Sequence, residues 1–233
     1  SESSFDATDG NTDAAARRPG RVVVAGGTGF IGRHLVPALH AAGHEVVVLS
    51  RRDHADTDQA RYLRWDPNGS GDWRHALAGA DAVINLCGAS IGAGRWTDSR
   101  KRVLTESRTV PSRALVAASN SLDTPPAAIL QASGVNYYGT GEAERGEDDP
   151  PGSDFLARLA TAWEAPLVDT DIRTVSLRFG AVLARDEGAL PQMLLPFRLF
   201  VGGPVAGGRQ WLSWIHVHDA VNAILFLIDS PLV

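Results

Sequence analysis

The sequence is poor in several things, and each shortage excludes something. It holds one cysteine, Cys87, among 233 residues, which rules out an internal disulfide framework and suits a reducing compartment. No apolar run approaches the roughly 20 residues that cross a bilayer; the stretch at 223–228 is far shorter. Positive charge is not in surplus, since 22 basic side chains against 27 acidic ones give a net −5. A surface that coats nucleic acid needs clustered positive charge, so that class is excluded. Lysine is almost missing: Lys101 stands alone and arginine supplies the rest, a compositional bias with no mechanism attached. The acidic, polar beginning does not read as a secretory signal. Together these absences predict a soluble, cytoplasmic protein with no nucleic-acid and no membrane partner.

What is present is an ordinary core composition, 44% hydrophobic and 21% charged, enough for one large domain or a domain with a satellite lobe. Residues 1–20 lack large apolar groups and read as a disordered tail. From Arg21 the pattern changes. Val22, Val23, Val24 and Ala25 form a short run bounded by glycines, as in a strand buried on both faces. A glycine turn follows, then helical spacing through Ile31, Leu35, Ala38 and Leu39, closed by Gly43. Residues 45–49 are the next buried strand, which completes a βαβ unit with parallel pairing. Further strands are expected at 82–86, 127–131 and 174–179, with helices at about 98–120 and 154–169. This alternation predicts an α/β, Rossmann-type, doubly wound parallel sheet.

The turn itself is Gly26, Gly27, Thr28, Gly29, Phe30, Ile31, Gly32, with Arg33 next. Glycines spaced by three between a buried strand and a helix suit a dinucleotide pyrophosphate. One glycine allows the tight turn, one the approach of phosphate to backbone, one the close packing of helix on strand. Free N–H groups at the positive helix end complete the anion site. An NAD-type site places an acid about 20 residues further on. Ser50, Arg51 and Arg52 stand there instead. Guanidinium forks, Arg33 included, suit a 2′-phosphate, so NADP(H) is expected in preference to NAD(H); solvated arginines are the plain alternative.

Seven segments, GGTGFIGRHLVPAL, DAVINLCGASIGAGRWT, KRVLTESR, ASGVNYYG, AWEAP, SLRFGAVLAR and QWLSWIHVHDA, run in order from residue 21 to about 228. As a set they resemble the extended or atypical short-chain dehydrogenases/reductases, and within them the nucleoside-diphosphate-sugar epimerase-like family also linked to cell-division inhibitors. The resemblance implies an oxidoreductase or isomerase acting on a nucleotide-sugar or other small carbonyl or hydroxyl substrate. It puts Asn85, Leu86, Cys87 and Gly88 at the end of that family's fourth strand beside the cofactor ribose, and Ser107 and Arg108 on the long helix that covers the cofactor. Ser133 falls just after the fifth strand near the nicotinamide, although alignment on Tyr138 and Gly139 puts Gly134 there instead.

One departure from the family is sharp. Its Tyr-x-x-x-Lys pair is missing: residues four after Tyr62, Tyr137 and Tyr138 are Asp66, Gly141 and Glu142, and the matching helix positions are Phe155 and Leu159. Ser133, Tyr137 and Tyr138 are therefore the candidate catalytic groups, with aromatic packing the alternative for both tyrosines. A catalytically impaired NADP(H) sensor or interaction module is the second reading of the whole chain. On the substrate side the candidates are Arg178, Arg209, Gln210, Trp214 and His216, with Trp211 and Trp214 expected to pack the lobe. His216 and His218 are two apart, which suits opposite faces of an extended segment and not joint metal ligation. Asp219 is expected to cap the last helix. The expected division is a dinucleotide domain at 21–182, a partial substrate lobe at 183–216 and a returning helix at 217–233. Relatives continue beyond that helix, so the end at Val233 reads as a truncation. Homodimerisation through the two long helices is an analogy with relatives.

Overall fold

A computed structural model describes residues 20–69, 71–203 and 206–230. The expected tail, Gly20 apart, residues 204–205 and the chain end at 231–233 lie outside the described residues. Eight strands and five helices follow in the described residues: β1 (Arg21–Ala25), α1 (Phe30–Ala41), β2 (Glu45–Ser50), β3 (Arg61–Arg64), β4 (Ala82–Asn85), α2 (Asp98–Asn120), β5 (Ala128–Gly134), α3 (Phe155–Glu164), β6 (Arg173–Phe179), β7 (Ala181–Leu183), α4 (Leu190–Arg198), β8 (Trp214–His216) and α5 (Val217–Asp229). The main sheet has the order β3-β2-β1-β4-β5-β6, every pairing parallel. The chain winds outward from β1 and returns at β4, so the order reverses between those two strands. In such a sheet ligands seat beyond the carboxyl ends at that reversal.

Alternation within the strands builds two cores. Val22, Val24, Val46, Val48, Ile84 and Leu130 face one side, against Leu35 and Leu39 of α1 and Val221, Ile224 and Ile228 of α5. Val23, Ala25, Val47, Leu49, Val83 and Ile129 face the other, against Leu115 of α2 and the Trp65–Trp73 pair. Helix α3 begins at Asp154, whose carboxylate accepts from Ala157 N at 2.9 Å. Asp154→Ala is expected to lower stability by about 1 kcal/mol, measured by urea unfolding.

The structure departs from the sequence pattern at several points. The helix expected over 154–169 ends at Glu164 and continues as a 3₁₀ turn at Ala165–Val168, where Pro166 removes a helical donor. Ser133 does not follow β5 but lies inside it, because the strand runs on to pair with Leu177 and Arg178. Asp219 does not cap α5: His216 does, its Nδ1 accepting from His218 N at 3.3 Å, and Asp219 lies in the first turn. Since β8 ends at His216 the helix starts three residues early. The His216 and His218 rings therefore meet edge to face at 4.9 Å instead of facing opposite ways. Trp211 and Trp214 are not packed; they are 82% and 61% exposed, because nothing among the described residues covers that side of the segment after α4. A short parallel sheet, β7 with β8, carries that segment back to the main body.

Candidate active site at the carboxyl edge of the sheet

Three groups of residues meet along the edge where β1, β4, β5 and β6 end. The first is the glycine turn. Gly26 has φ +80°, and a Cβ there would stand 3.0 Å from the Leu86 carbonyl carbon and 3.1 Å from Cys87 N. A Cβ on Gly32 would fall 2.4 Å from Gly27 O. Both positions thus need glycine, one for its conformation and one for space. Helix α1 opens at Gly29 with no side-chain cap and no acid in its first turn. Its end-on N–H groups are left for an anion. At the end of β2, Ser50 Oγ accepts from Arg52 N at 3.2 Å, while Arg51 and Arg52 stand exposed. Arg33 is exposed on α1 but paired: Nη2 lies 2.7 Å from Glu187 Oε1. That pair borders a cleft of about 450 Å³ with His34, Arg185, His216 and His218 on its walls.

The second group follows β4. Asn85 is fully buried, and its amide donates to Gln131 Oε1 at 3.0 Å while its Oδ1 accepts from Cys87 N at 3.1 Å. Gln131 in turn donates to Trp163 O. Asn85 thus shapes the turn from beneath and leaves Leu86, Cys87 and Gly88 to form its rim. Burial pushes the Cys87 thiol up to about 12, against a smaller opposing pull from Arg51, so it stays protonated and inert at neutral pH. Ser107 Oγ accepts from Ala89 N at 3.0 Å, which ties α2 to this loop.

The third group is a polar chain. Strand register sets Ser133 of β5 opposite Arg178 of β6. Ser133 Oγ donates to Glu164 Oε1 at 2.5 Å. Arg178 grips the same carboxylate with both arms of its fork, Nε to Oε1 at 3.0 Å and Nη2 to Oε2 at 2.8 Å. Its Nη1 donates to Tyr138 Oη at 2.7 Å and to Glu147 O at 3.0 Å. The guanidinium plane also covers the Tyr137 ring, 3.6 Å from its centroid. The Glu164 hydrogen bond, then that of Tyr138, hold Arg178 above its already high range against partial burial. Serine, carboxylate, guanidinium and phenol are thus one connected network, with the fixed positive charge of Arg178 held against the phenol oxygen. Each nitrogen of Arg178 has a partner within the fold. Glu164 went unseen in the sequence, although it stands in the AWEAP segment; it is 14 positions from Arg178, and only the end of α3 brings them together. Arg209, Gln210 and Trp214 stand exposed before and at the start of β8.

Comparison with known proteins agrees with this architecture. The sequence model described as the NAD dependent epimerase/dehydratase family matches residues 22–232. The epimerase family protein YfhF of Bacillus subtilis is 38% identical over 216 residues, covering 90% of this chain and 70% of the relative. The crystal structure of human epimerase family protein SDR39U1 (isoform 2) with NADPH superposes with a TM-score of 0.80 at 36% identity, covering 91% of this chain and 71% of that one. MoeE5 in complex with UDP-glucuronic acid and NAD gives a TM-score of 0.69 at 26% identity, covering 88% and 71%.

Proposed function

Because the chain belongs to the NAD-dependent epimerase/dehydratase family, we propose that it binds NADP(H) and moves a hydride to or from a carbonyl or hydroxyl carbon of a small substrate, of the nucleotide-sugar kind. The observation that carries this reading is the Ser133–Glu164–Arg178–Tyr138 network at the carboxyl ends of β5 and β6. The glycine positions fit a dinucleotide, since a Cβ at Gly26 or Gly32 would fill the cradle. Gly26, Gly27, Thr28, Gly29, Phe30, Ile31 and Gly32 would hold the pyrophosphate. Arg51 and Arg52, with Ser50 ordering their turn, would hold a 2′-phosphate, joined by Arg33 once its Glu187 partner is exchanged. When bound, the cofactor supplies or accepts the hydride.

The chain's own residues handle the proton. Tyr138 Oη holds it, and the Arg178 guanidinium stabilises negative charge developing on that oxygen as the proton leaves. Arg178 thereby does the electrostatic work that the family assigns to a lysine four residues after its tyrosine. Glu164 positions Arg178 and Ser133 together. Tyr137 holds the guanidinium carbon 3.6 Å from its ring centroid. NADPH in the human relative and a UDP-sugar acid in MoeE5 support the cofactor and substrate classes. The lack of any Tyr-x-x-x-Lys pair supports the second reading, an NADP(H) sensor without turnover. Separate lobes at 21–182 and 183–216 remain part of the proposal.

Two measurements test it. Arg51→Ala with Arg52→Ala is expected to weaken NADPH by about tenfold to a hundredfold, the worth of one or two charge-assisted bonds, while NADH changes little; equal losses would sink the NADP(H) preference. Consumption of NADPH with UDP-sugars and simple carbonyl compounds separates enzyme from sensor: tight binding with no turnover across substrates that bind would select the sensor.

A further inference from the structure

Two arginines of α2 converge under the loop that follows β4, and no carboxylate among the described residues pairs with either. Arg108 is 6% exposed. Its Nη1 donates to Leu104 O at 3.0 Å and its Nη2 to Ala89 O at 3.1 Å. Arg100, two turns earlier, donates from Nη2 to Ser90 O. The Nε atoms of both are buried with no acceptor. Trp163, whose ring lies 4.8 Å from the Arg108 guanidinium carbon, holds a third buried donor without a partner, its Nε1. Neutral donors would satisfy the two loop carbonyls as well. Burying the Arg108 charge with a second, partly exposed cation beside it is costly unless a counterion completes the pair. Burial first, and then the charge of Arg100, bring Arg108 down to about 10, a penalty that an anion at the pair would relieve.

The loop is built to let one near. Gly88 is exposed, and a Cβ on it would stand 3.1 Å from the Arg108 guanidinium carbon. The missing side chain leaves that charge one backbone layer below the surface. Ser107 pins Ala89 from the other side. The same loop lies against the glycine turn, through the close approach of Gly26 to Leu86 and Cys87.

We propose that Arg100 and Arg108, with residues 88–90, form a seat for an oxyanion, phosphate or carboxylate, carried by the substrate beside the cofactor turn. The cofactor's phosphates have their own donors at the start of α1, which is why the anion is given to the substrate. The assignment to a substrate rests on the functional reading above; the paired cations do not.

Calorimetric titration with inorganic pyrophosphate decides it, on protein saturated with NADPH and on protein without it. Wild type is expected to bind in both states, with affinity falling as salt rises. Arg100→Gln is expected to lose about tenfold, the worth of one charge-assisted contact, and Arg108→Gln more. Arg61→Gln, an exposed arginine on β3, leaves binding unchanged. Since Arg108→Gln removes a buried side chain and can fail to fold, Arg108→Lys keeps the charge without the fork, and Arg100→Gln decides alone. Unchanged affinity in Arg100→Gln overturns the seat. The glycine turn can itself take pyrophosphate, so the seat is read on NADPH-saturated protein; displacement of NADPH by pyrophosphate in wild type that is lost in Arg100→Gln overturns its assignment to the substrate. Failure of the protein to bind NADPH at all refutes the functional reading, while the titration without cofactor still judges the arginines.

Discussion

Gly32→Ala is expected to abolish measurable NADPH binding and to lower stability by about 2–3 kcal/mol, at the upper end of overpacking. The new Cβ would stand 2.4 Å from Gly27 O and 2.5 Å from both Gly27 C and Gly27 Cα. These are backbone atoms of the turn itself, so no side chain can swing away. Either α1 lifts from β1 or the turn deforms, and each removes the N–H groups from the phosphate. Gly29→Ala is the control for stability alone, since Gly29 itself lines the phosphate cradle. Its Cβ would meet one atom, Gly26 O at 3.2 Å, and its φ of −80° suits alanine. Urea unfolding checks both variants and NADPH fluorescence the first, and a Gly32→Ala protein that binds like wild type would remove the glycine turn from the site.

Breaking the Glu164–Arg178 pair is the second large effect. The two side chains are 12% and 20% exposed, so the loss of one partner strands the other charge in a partly dry place. Removing one member of a buried pair costs roughly 3–5 kcal/mol; solvent reaching these two side chains brings Glu164→Ala or Arg178→Met to about 2–4 kcal/mol. The stack of Arg178 on Tyr137 goes with it. Tyr138→Phe separates structure from chemistry: it removes one hydrogen bond to a charged group, about 1–2 kcal/mol, but takes the whole proton-holding oxygen. Turnover should then vanish while NADPH affinity and most of the stability remain. A Tyr138→Phe protein with wild-type turnover would exclude the phenol as the proton donor.

Much of the fold was legible because local and global signals agree. The β-branched runs at Val22 and Val46 and the glycines around them leave little choice, and α2 occupies the same 98–120 that its periodicity marks. β3 was not foreseen, since Arg61-Tyr62-Leu63-Arg64 is four residues long, with a charge at each end, on the sheet's edge. The end of β5 was misjudged for another reason: Ala132, Ser133 and Gly134 carry no strand propensity of their own and are extended by pairing with Leu177, Arg178 and Phe179. The cofactor cradle is contiguous in sequence, so spacing reveals it. The polar network is not; Ser133, Tyr138, Glu164 and Arg178 come from β5, the 3₁₀ turn Val135–Tyr138 that follows it, α3 and β6, and the packing of α3 against β5 and that turn joins them.

The all-parallel main sheet also governs how the chain reaches this state. No two of its strands can meet as a hairpin, and β1 must find β4 with Val22 beside Ala82, across the whole β2–β3 excursion. Loop-closure entropy falls due before any central ladder forms, so refolding belongs to the slow, millisecond-to-second class of topologies rich in distant contacts. The β1–α1–β2 unit is the most local part of the sheet and the natural seed. Until β4 docks on it, the inner edge of β1 stays open, with three consecutive valines ready to pair with another chain.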